Sequence, residues 1–361
     1  MAVRAKECVI AIDAMGGDYA PDAVVQGALI AARQGIDVVL FGNQKELTSL
    51  LFQYENSWQK LPVKIIHCAD VIAMDAEPSK AVLRKKDASL IRAMKSVASG
   101  AAQAVVSAGN SGAVLIASTL ILGRTEGVLR PAIGGFLPTQ KASLFCVDLG
   151  ANTDCKPEYL EQFAAMGHVY VSLVRGILAP RVGLLSNGHE AYKGSCVVKE
   201  VYKRLSGSLF NFVGNVEARD IFNDTADVLV CDGFAGNIML KTAQATARVM
   251  MDWMKAEAST SWWSKIVLGL NTPLLKKLKS KTDYSHVGGA LLLGVQQPVI
   301  TAHGSSNAHA ISHAISFAHA VVQKQIIRRF NEKLVELLQK QKTSFSTMLK
   351  RKEPSLMSWA Q

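Results

Sequence analysis

Four glycine-rich segments carry the residues in this chain best suited to gripping an anion. They read Asp13-Ala-Met-Gly-Gly-Asp18, Ala108-Gly-Asn-Ser-Gly112, Asp232-Gly-Phe-Ala-Gly-Asn237 and His303-Gly-Ser-Ser-Asn307. Glycine lets a backbone turn tightly and approach a ligand closely. Ser, Asn and Asp cap a following helix, whose unpaired N–H groups bind negative charge. The side chains of Asn110, Asn237 and Ser305 add donors, and His303 could act as a general acid. Each has a structural rival: Asp13, Asp148 and Asp232 could simply cap helices and order loops, Lys241 could be a surface residue, and His303 could make a structural hydrogen bond. His309 and His313 stand at i, i+4, but no third ligand lies near them in sequence.

The elements that position these turns read as strands followed by helices. Val9–Ile12, Val38–Phe41, Val63–His67, Ala104–Ser107, Ser143–Val147, Val182–Leu185, Val228–Cys231 and Val299–Ala302 are short, β-branched apolar runs. Between them, apolar spacing near 3.6 marks helices such as Pro157–Val174 and Ile238–Met254, and a long helix after Asn307 carries Ile311, Ile315, Val322 and Ile326 on one stripe. The alternation predicts an α/β fold, a mostly parallel sheet covered on both faces. In such a sheet the four turns lie at the carboxyl ends of the strands, where open α/β folds bind ligands. Together they point to a phosphate-bearing substrate.

Composition narrows the class. Apolar residues make up 49% of 361 and charged residues 19%, which suits a globular chain. No apolar run approaches the roughly 20 residues a membrane span needs, and the amino-terminal stretch is too short for a secretory leader, so a cytoplasmic protein is expected. The six cysteines form no Cys-x-x-Cys pair and no zinc spacing. The net charge of +11 favours an acidic partner without choosing one. Gly-x-Gly-x-x-Gly after a strand, a Walker-type lysine loop, Gly-x-Ser-x-Gly and His-Glu-x-x-His are all missing, which weakens dinucleotide, ATP, serine-hydrolase and zincin readings. No aromatic–basic RNA motif accompanies the charge, so no nucleic acid is expected.

Eight blocks carry a family resemblance: DAMGGD with Pro21, Pro78–Leu90, Val106–Ala113, Arg130–Ile133, Val147–Asn152, Gly214–Ile221, Val230–Thr242 and Ala302–Asn307. In this order they resemble the phosphate acyltransferases of bacterial phospholipid synthesis, over about residues 9–320. The resemblance implies a Rossmann-like three-layer α/β/α fold, related to isocitrate-type dehydrogenases and phosphotransacetylases. It further implies a homodimer at the membrane surface, with acyl carrier protein thioester and inorganic phosphate as substrates and no metal or organic cofactor. The acyl phosphate would pass to a membrane glycerol-3-phosphate acyltransferase.

On that implied chemistry, phosphate attacks the thioester directly. The expected catalytic residues are Asn110, Lys193, Asn237, Lys241 and His303. The substrate-binding set is Asp13, Gly16, Gly17, Ser107, Gly109, Ser111, Gly112, Arg130, Asp232, Gly233, Gly236, Gly304, Ser305 and Ser306. Arg84, Lys85 and Lys86 would dock the acidic carrier protein, with a solvated face as the rival explanation. Ser186, His189, Thr301, Gln244-Ala245 and Leu291 depart from the family pattern.

Residues 1–330 read as one catalytic unit with two lobes. Within it, 259–281 combines Trp262, Trp263, Leu270 and Leu274 with Lys276 and Lys277, the composition of an interfacial membrane anchor. Residues 331–361 read as a basic extension, helical and then disordered. A coenzyme A-dependent phosphotransacetylase and a nucleotide- and metal-dependent dehydrogenase of related fold remain as alternatives, along with a nucleic-acid binder.

Overall fold

In a computed structural model, residues 8–259 and 289–351 of the chain are described. Residues 1–7, 260–288 and 352–361 fall outside them, and with them the six residues expected to contact the membrane, Trp262, Trp263, Leu270, Leu274, Lys276 and Lys277. No described helix is long and apolar enough to cross a membrane.

The short apolar runs pair into one eleven-stranded sheet. Its strands are β1 (Val9–Asp13), β2 (Asp37–Gly42), β3 (Val63–His67), β4 (Ala104–Ser107), β5 (Ala132–Pro138), β6 (Ser143–Val147), β7 (Arg181–Leu185), β8 (Asn211–Val216), β9 (Val228–Val230), β10 (Ala290–Leu293) and β11 (Val299–Thr301). The order is β3-β2-β1-β4-β11-β10-β5-β6-β9-β7-β8. All eight expected strands are present, joined by β5, β8 and β10.

The sheet is mostly parallel, but it consists of two parallel groups running in opposite directions. The strands from β3 to β11 run one way and those from β6 to β8 the other, because β10 is antiparallel to both its neighbours and β5 is antiparallel to β6. One row of paired Cα positions nevertheless crosses every strand: Ile65, Leu40, Ile12, Val106, Ile300, Leu291, Gly134, Val147, Val230, Leu184 and Asn215. In each parallel strand that residue is within two positions of the carboxyl end. The two groups are therefore staggered, and their carboxyl ends meet on one line. Turns that opposed strands should send to opposite edges converge instead.

Alternation along the strands loads both faces. Ile10, Ile12, Val38, Leu40, Val106, Phe145 and Val230 pack on one side against α1 (Asp22–Arg33), α2 (Gln44–Tyr54), α6 (Pro157–Arg175), α7 (Cys196–Ser206), α9 (Ala308–Gln323) and α10 (Ile326–Arg351). Ala11, Val39, Val105, Cys146 and Leu229 pack on the other, against α4 (Ser89–Ala98), α5 (Ser111–Ala117) and α3 (Pro78–Arg84). Met239 and Leu240 of α8 (Gly233–Ser259) join this second layer. The result is the expected three-layer α/β/α arrangement.

The stripe from Ile311 to Ile326 does not form one helix. Gln325 takes a left-handed φ of 50° and ends α9, so Ile326 opens α10. The 330/331 boundary also falls inside an element. Helix α10 runs through it and buries Phe330, Leu334 and Leu338 against the core.

Candidate active site

Three turns of the first strand group are packed onto one another. Asp13 ends β1 buried, where Oδ1 accepts a hydrogen bond from Ser89 Oγ at 2.5 Å and Oδ2 accepts one from Ser107 Oγ at 2.7 Å. The Ser107 hydroxyl in turn accepts the Gly109 N–H at 3.1 Å. Burial pushes the Asp13 carboxyl above its ordinary pKa, and the two hydroxyls pull against that rise. Gly16 must be glycine, since a Cβ there would lie 2.9 Å from the Gly109 Cα. The Asp18 N–H donates to the Gly304 carbonyl at 2.8 Å, which brings in the third turn. Asp13, Gly16, Gly17 and Ser107 thus shape the site without facing it.

Two turns of the second group interlock in the same way. Asp148 is fully buried, and no cationic side chain among the described residues pairs with it. Its carboxylate accepts hydrogen bonds from the backbone N–H groups of Ile133, Gly150, Ala151 and Asn152 and from Asn152 Nδ2, between 2.7 and 3.1 Å. The Asn152 carbonyl accepts the Gly233 N–H at 2.7 Å. Asp232 Oδ1 accepts the Ala235 N–H at 2.7 Å and caps α8, so the capping rival holds for Asp232 and the loop-ordering rival for Asp148.

Between the two sets lies a cavity of about 410 Å³. Gly109, Ser111, Gly150, Asn237, Lys241, His303, Gly304 and Ser306 line it, with Asp18, Met74, Gln244 and residues of β5. The segments around Asn110, Asn237 and Ser305 accordingly share one crevice. Asn237, Lys241, Gln244 and Arg248 recur at three- and four-residue steps, so they form one polar stripe on α8. Neither the Asn237 carboxamide nor the Lys241 ammonium is engaged by another described residue. At the rim, His303 Nδ1 accepts the Ser305 N–H at 3.2 Å and lies 2.7 Å from Ser305 Oγ. That bond puts the proton of the neutral ring on Nε2. Partial burial lowers the His303 pKa, and the Lys241 charge lowers it further, which favours this neutral form.

Several expected residues do something else. Asn110 caps α5 by accepting the Ala113 N–H at 3.0 Å, and its amide donates to Met74 O and Ala76 O at 2.9 and 3.1 Å. Its side chain is therefore committed to the scaffold. Arg130 lies outside the cavity with its guanidinium over the Tyr159 ring, 5.8 Å from the centroid. Lys193 also lies outside it, over Tyr192 on the 186–195 loop. Gly112 packs against Pro78, and Gly233 and Gly236 pack against the Asp148–Asn152 turn. Of the three docking cations, Lys85 donates to Val71 O at 2.6 Å, while Arg84 and Lys86 are exposed.

Sequence reading missed Met74, Gln244 and the β5 side chains. Two adjacent glycines in β5, Gly134 and Gly135, hide its alternation. One described group could hold a metal ion: His189 Nε2 lies 3.5 Å from Glu217 Oε1 and 3.2 Å from Asp220 Oδ2, well apart from the cavity lining. Arg219 pairs with the same Glu217 at 2.9 Å, so the cluster is also served by ion pairing within the protein. Burial raises the thiols of Cys146 and Cys231 and pushes that of Cys155 up to about 12, which makes these three poor nucleophiles.

A model of the fatty acid synthesis protein family matches residues 8–329. The chain is 46% identical over 319 residues to a phosphate acyltransferase of Pelotomaculum thermopropionicum, covering 88% of this chain and 92% of that one. With the phosphate acyltransferase of Dictyoglomus turgidum it shares 44% over 334 residues, 92% and 98% of the two chains. Among solved structures, a phosphotransacetylase from Streptococcus pyogenes matches with a TM-score of 0.56 at 17% identity, over 88% of this chain and 94% of that one. A branched-chain phosphotransacylase from Enterococcus faecalis matches with a TM-score of 0.52 at 17% identity, over 88% and 99%. At these identities the likeness is one of fold.

Proposed function

This chain belongs to the phosphate acyltransferase family, and we propose that it moves a fatty acyl group from acyl carrier protein onto inorganic phosphate, releasing an acyl phosphate. The observation that carries the reading is the polar stripe of α8 facing the Gly304–Ser306 and Gly109–Ser111 backbone across one cavity. A mobile dianion needs donors from several directions and at least one cation, and this cavity offers both.

In the proposed step the Lys241 ammonium and the backbone N–H groups near Ser111 hold phosphate, with Asn237 adding an amide donor. A phosphate oxygen attacks the thioester carbon, and the oxyanion that forms is met by the N–H groups of the 304–306 turn. Such donors are worth roughly 3–4 kcal/mol each when well placed. The C–S bond then breaks. The proton of the attacking hydrogen phosphate ends on the leaving sulfur, while the neutral His303 ring keeps its Nε2–H and donates it as a hydrogen bond to that sulfur as the C–S bond lengthens. Holding both reactants in one crevice supplies the rest of the advantage. No protein nucleophile is needed, in keeping with the buried thiols.

Exposed Arg84 and Lys86 on the Pro78–Lys86 segment, whose start abuts Gly112, suit an acidic carrier protein. Exposed Val249 and Trp253 on α8 suit a homodimer contact and a peripheral position on the inner membrane face, close to a glycerol-3-phosphate acyltransferase. The test mixes purified protein with phosphate and either palmitoyl carrier protein or palmitoyl-coenzyme A, and traps acyl phosphate with hydroxylamine. Product from the carrier thioester is expected. Product from coenzyme A alone would move the assignment to a phosphotransacylase, and no product from either would end it.

A further inference from the structure

A second, larger depression opens beside the phosphate cavity, with a volume of about 1140 Å³. Leu137, Leu240 and Gln244 line both, so the two adjoin along these side chains. Its floor is a different face of α8: Met239, Ala243, Ala247, Met250 and Met254 recur at three- and four-residue steps, turned away from the Asn237–Lys241–Arg248 stripe. Its far wall is apolar as well, built from Leu185, Val198, Ile221 and Phe222. The one carboxylate among the described lining residues, Asp232, is occupied as the cap of α8.

We infer that this groove holds the hydrocarbon chain of the acyl donor, with Gln244 at the junction between chain and phosphate. The inference rests on the acyl-transfer reading above and adds where the chain lies. One helix presents cations and amides to one compartment and aliphatic side chains to the next, which matches a substrate whose reacting carbonyl joins a polar and an apolar part. The length fits as well. From Leu240 to Met254 the helix rises about 21 Å at 1.5 Å per residue, whereas a chain filling one leaflet of a 30 Å hydrocarbon core spans about 15 Å. Methionine is unbranched and adaptable, so a floor rich in it accepts chains of differing length and shape.

The test fills the floor. Ala243→Leu and Ala247→Phe are made in the full chain, and folding is checked by circular dichroism. The ratio of kcat/KM for palmitoyl to butyryl carrier protein is then compared with wild type. Each methylene lost from an apolar site weakens binding about fourfold, so the ratio should fall at least tenfold in either variant. A ratio within twofold of wild type in a folded variant overturns the inference. So does an unchanged ratio accompanied by a shift to a smaller species in sedimentation velocity, which would make the groove a contact between copies. Binding of cis-parinaric acid, a fluorescent fatty acid, provides a readout independent of turnover. If the wild type makes no acyl phosphate, the functional reading fails alone. Loss of probe binding in the variants then still supports the groove, and equal binding overturns it.

Discussion

The α-carbon of Gly236 lies against the carbonyl oxygen of Asp148, so closely that a β-carbon would overlap that oxygen and come 2.8 Å from Cys231 Sγ. This contact seats the first turn of α8 on the end of β6 and so aims Asn237 and Lys241 into the cavity. Both neighbours are backbone or buried, and neither can swing away.

Gly236→Ala should therefore destabilise the protein by about 3 kcal/mol, the upper range for overpacking, with activity falling in parallel. Gly207→Ala is the control: its φ is −103° and a Cβ there meets nothing within 4 Å. Urea denaturation should show a lower midpoint for the first and a midpoint near wild type for the second. Equal midpoints would remove the contact from the argument.

Ser107→Ala takes the hydroxyl away from both Asp13 Oδ2 and the Gly109 N–H, which it links at 2.7 and 3.1 Å. Leaving buried polar groups unpaired costs about 1–3 kcal/mol each. Stability should drop by an amount in that range, and KM for phosphate should rise because the Gly109–Gly112 backbone is no longer held. An increase in KM without loss of stability would mean that Ser107 itself contacts the substrate.

Much of this site was legible in the sequence, and the parts that were not share a cause. Gly16, Gly109 and Gly304 could be singled out because close backbone approach demands glycine. The convergence of their turns with Asn237 was expected from a sheet running one way; it holds because two opposed groups are staggered, a matter of register that no local pattern encodes. Side-chain roles were less readable. Asn110 was expected to donate to substrate, yet an N-cap and two loop carbonyls saturate it. Arg130 had the right charge, but Tyr159 holds it elsewhere. Strand β5 was missed because Gly134 makes room for the Phe145 ring, and a glycine pair carries no alternation.

Burial and the Lys241 charge hold the His303 pKa below the usual value of about 6.5. In an NMR titration its ring signals should move below that pH, and in Lys241→Met they should move closer to it. The effect on stability follows in sign. Above the unfolded value both states are neutral and the contribution is complete; as pH falls below it, the unfolded state takes up a proton first and stability is lost. In Lys241→Met that loss should be smaller. Turnover should fall about 100-fold in the same variant if the ammonium holds phosphate. An unshifted His303 signal in Lys241→Met would separate the two residues.

Carrier-protein docking can be told from scaffolding within three adjacent cations. Lys85 is tied to the Val71 carbonyl at 2.6 Å, whereas Arg84 and Lys86 are exposed and make no ion pair with a described residue. Reversing the exposed pair, Arg84→Glu with Lys86→Glu, should raise KM for carrier-protein thioester about tenfold and leave KM for phosphate within twofold of wild type. The wild-type dependence on salt should weaken in the variant, since exposed charges act over a Debye length of about 8 Å at physiological ionic strength. Lys85→Met should behave differently, lowering thermal stability by releasing the loop around Val71 and leaving the salt dependence in place. If all three substitutions changed only stability, the carrier protein would have to dock on another face, and the charge of this segment would be solvation alone.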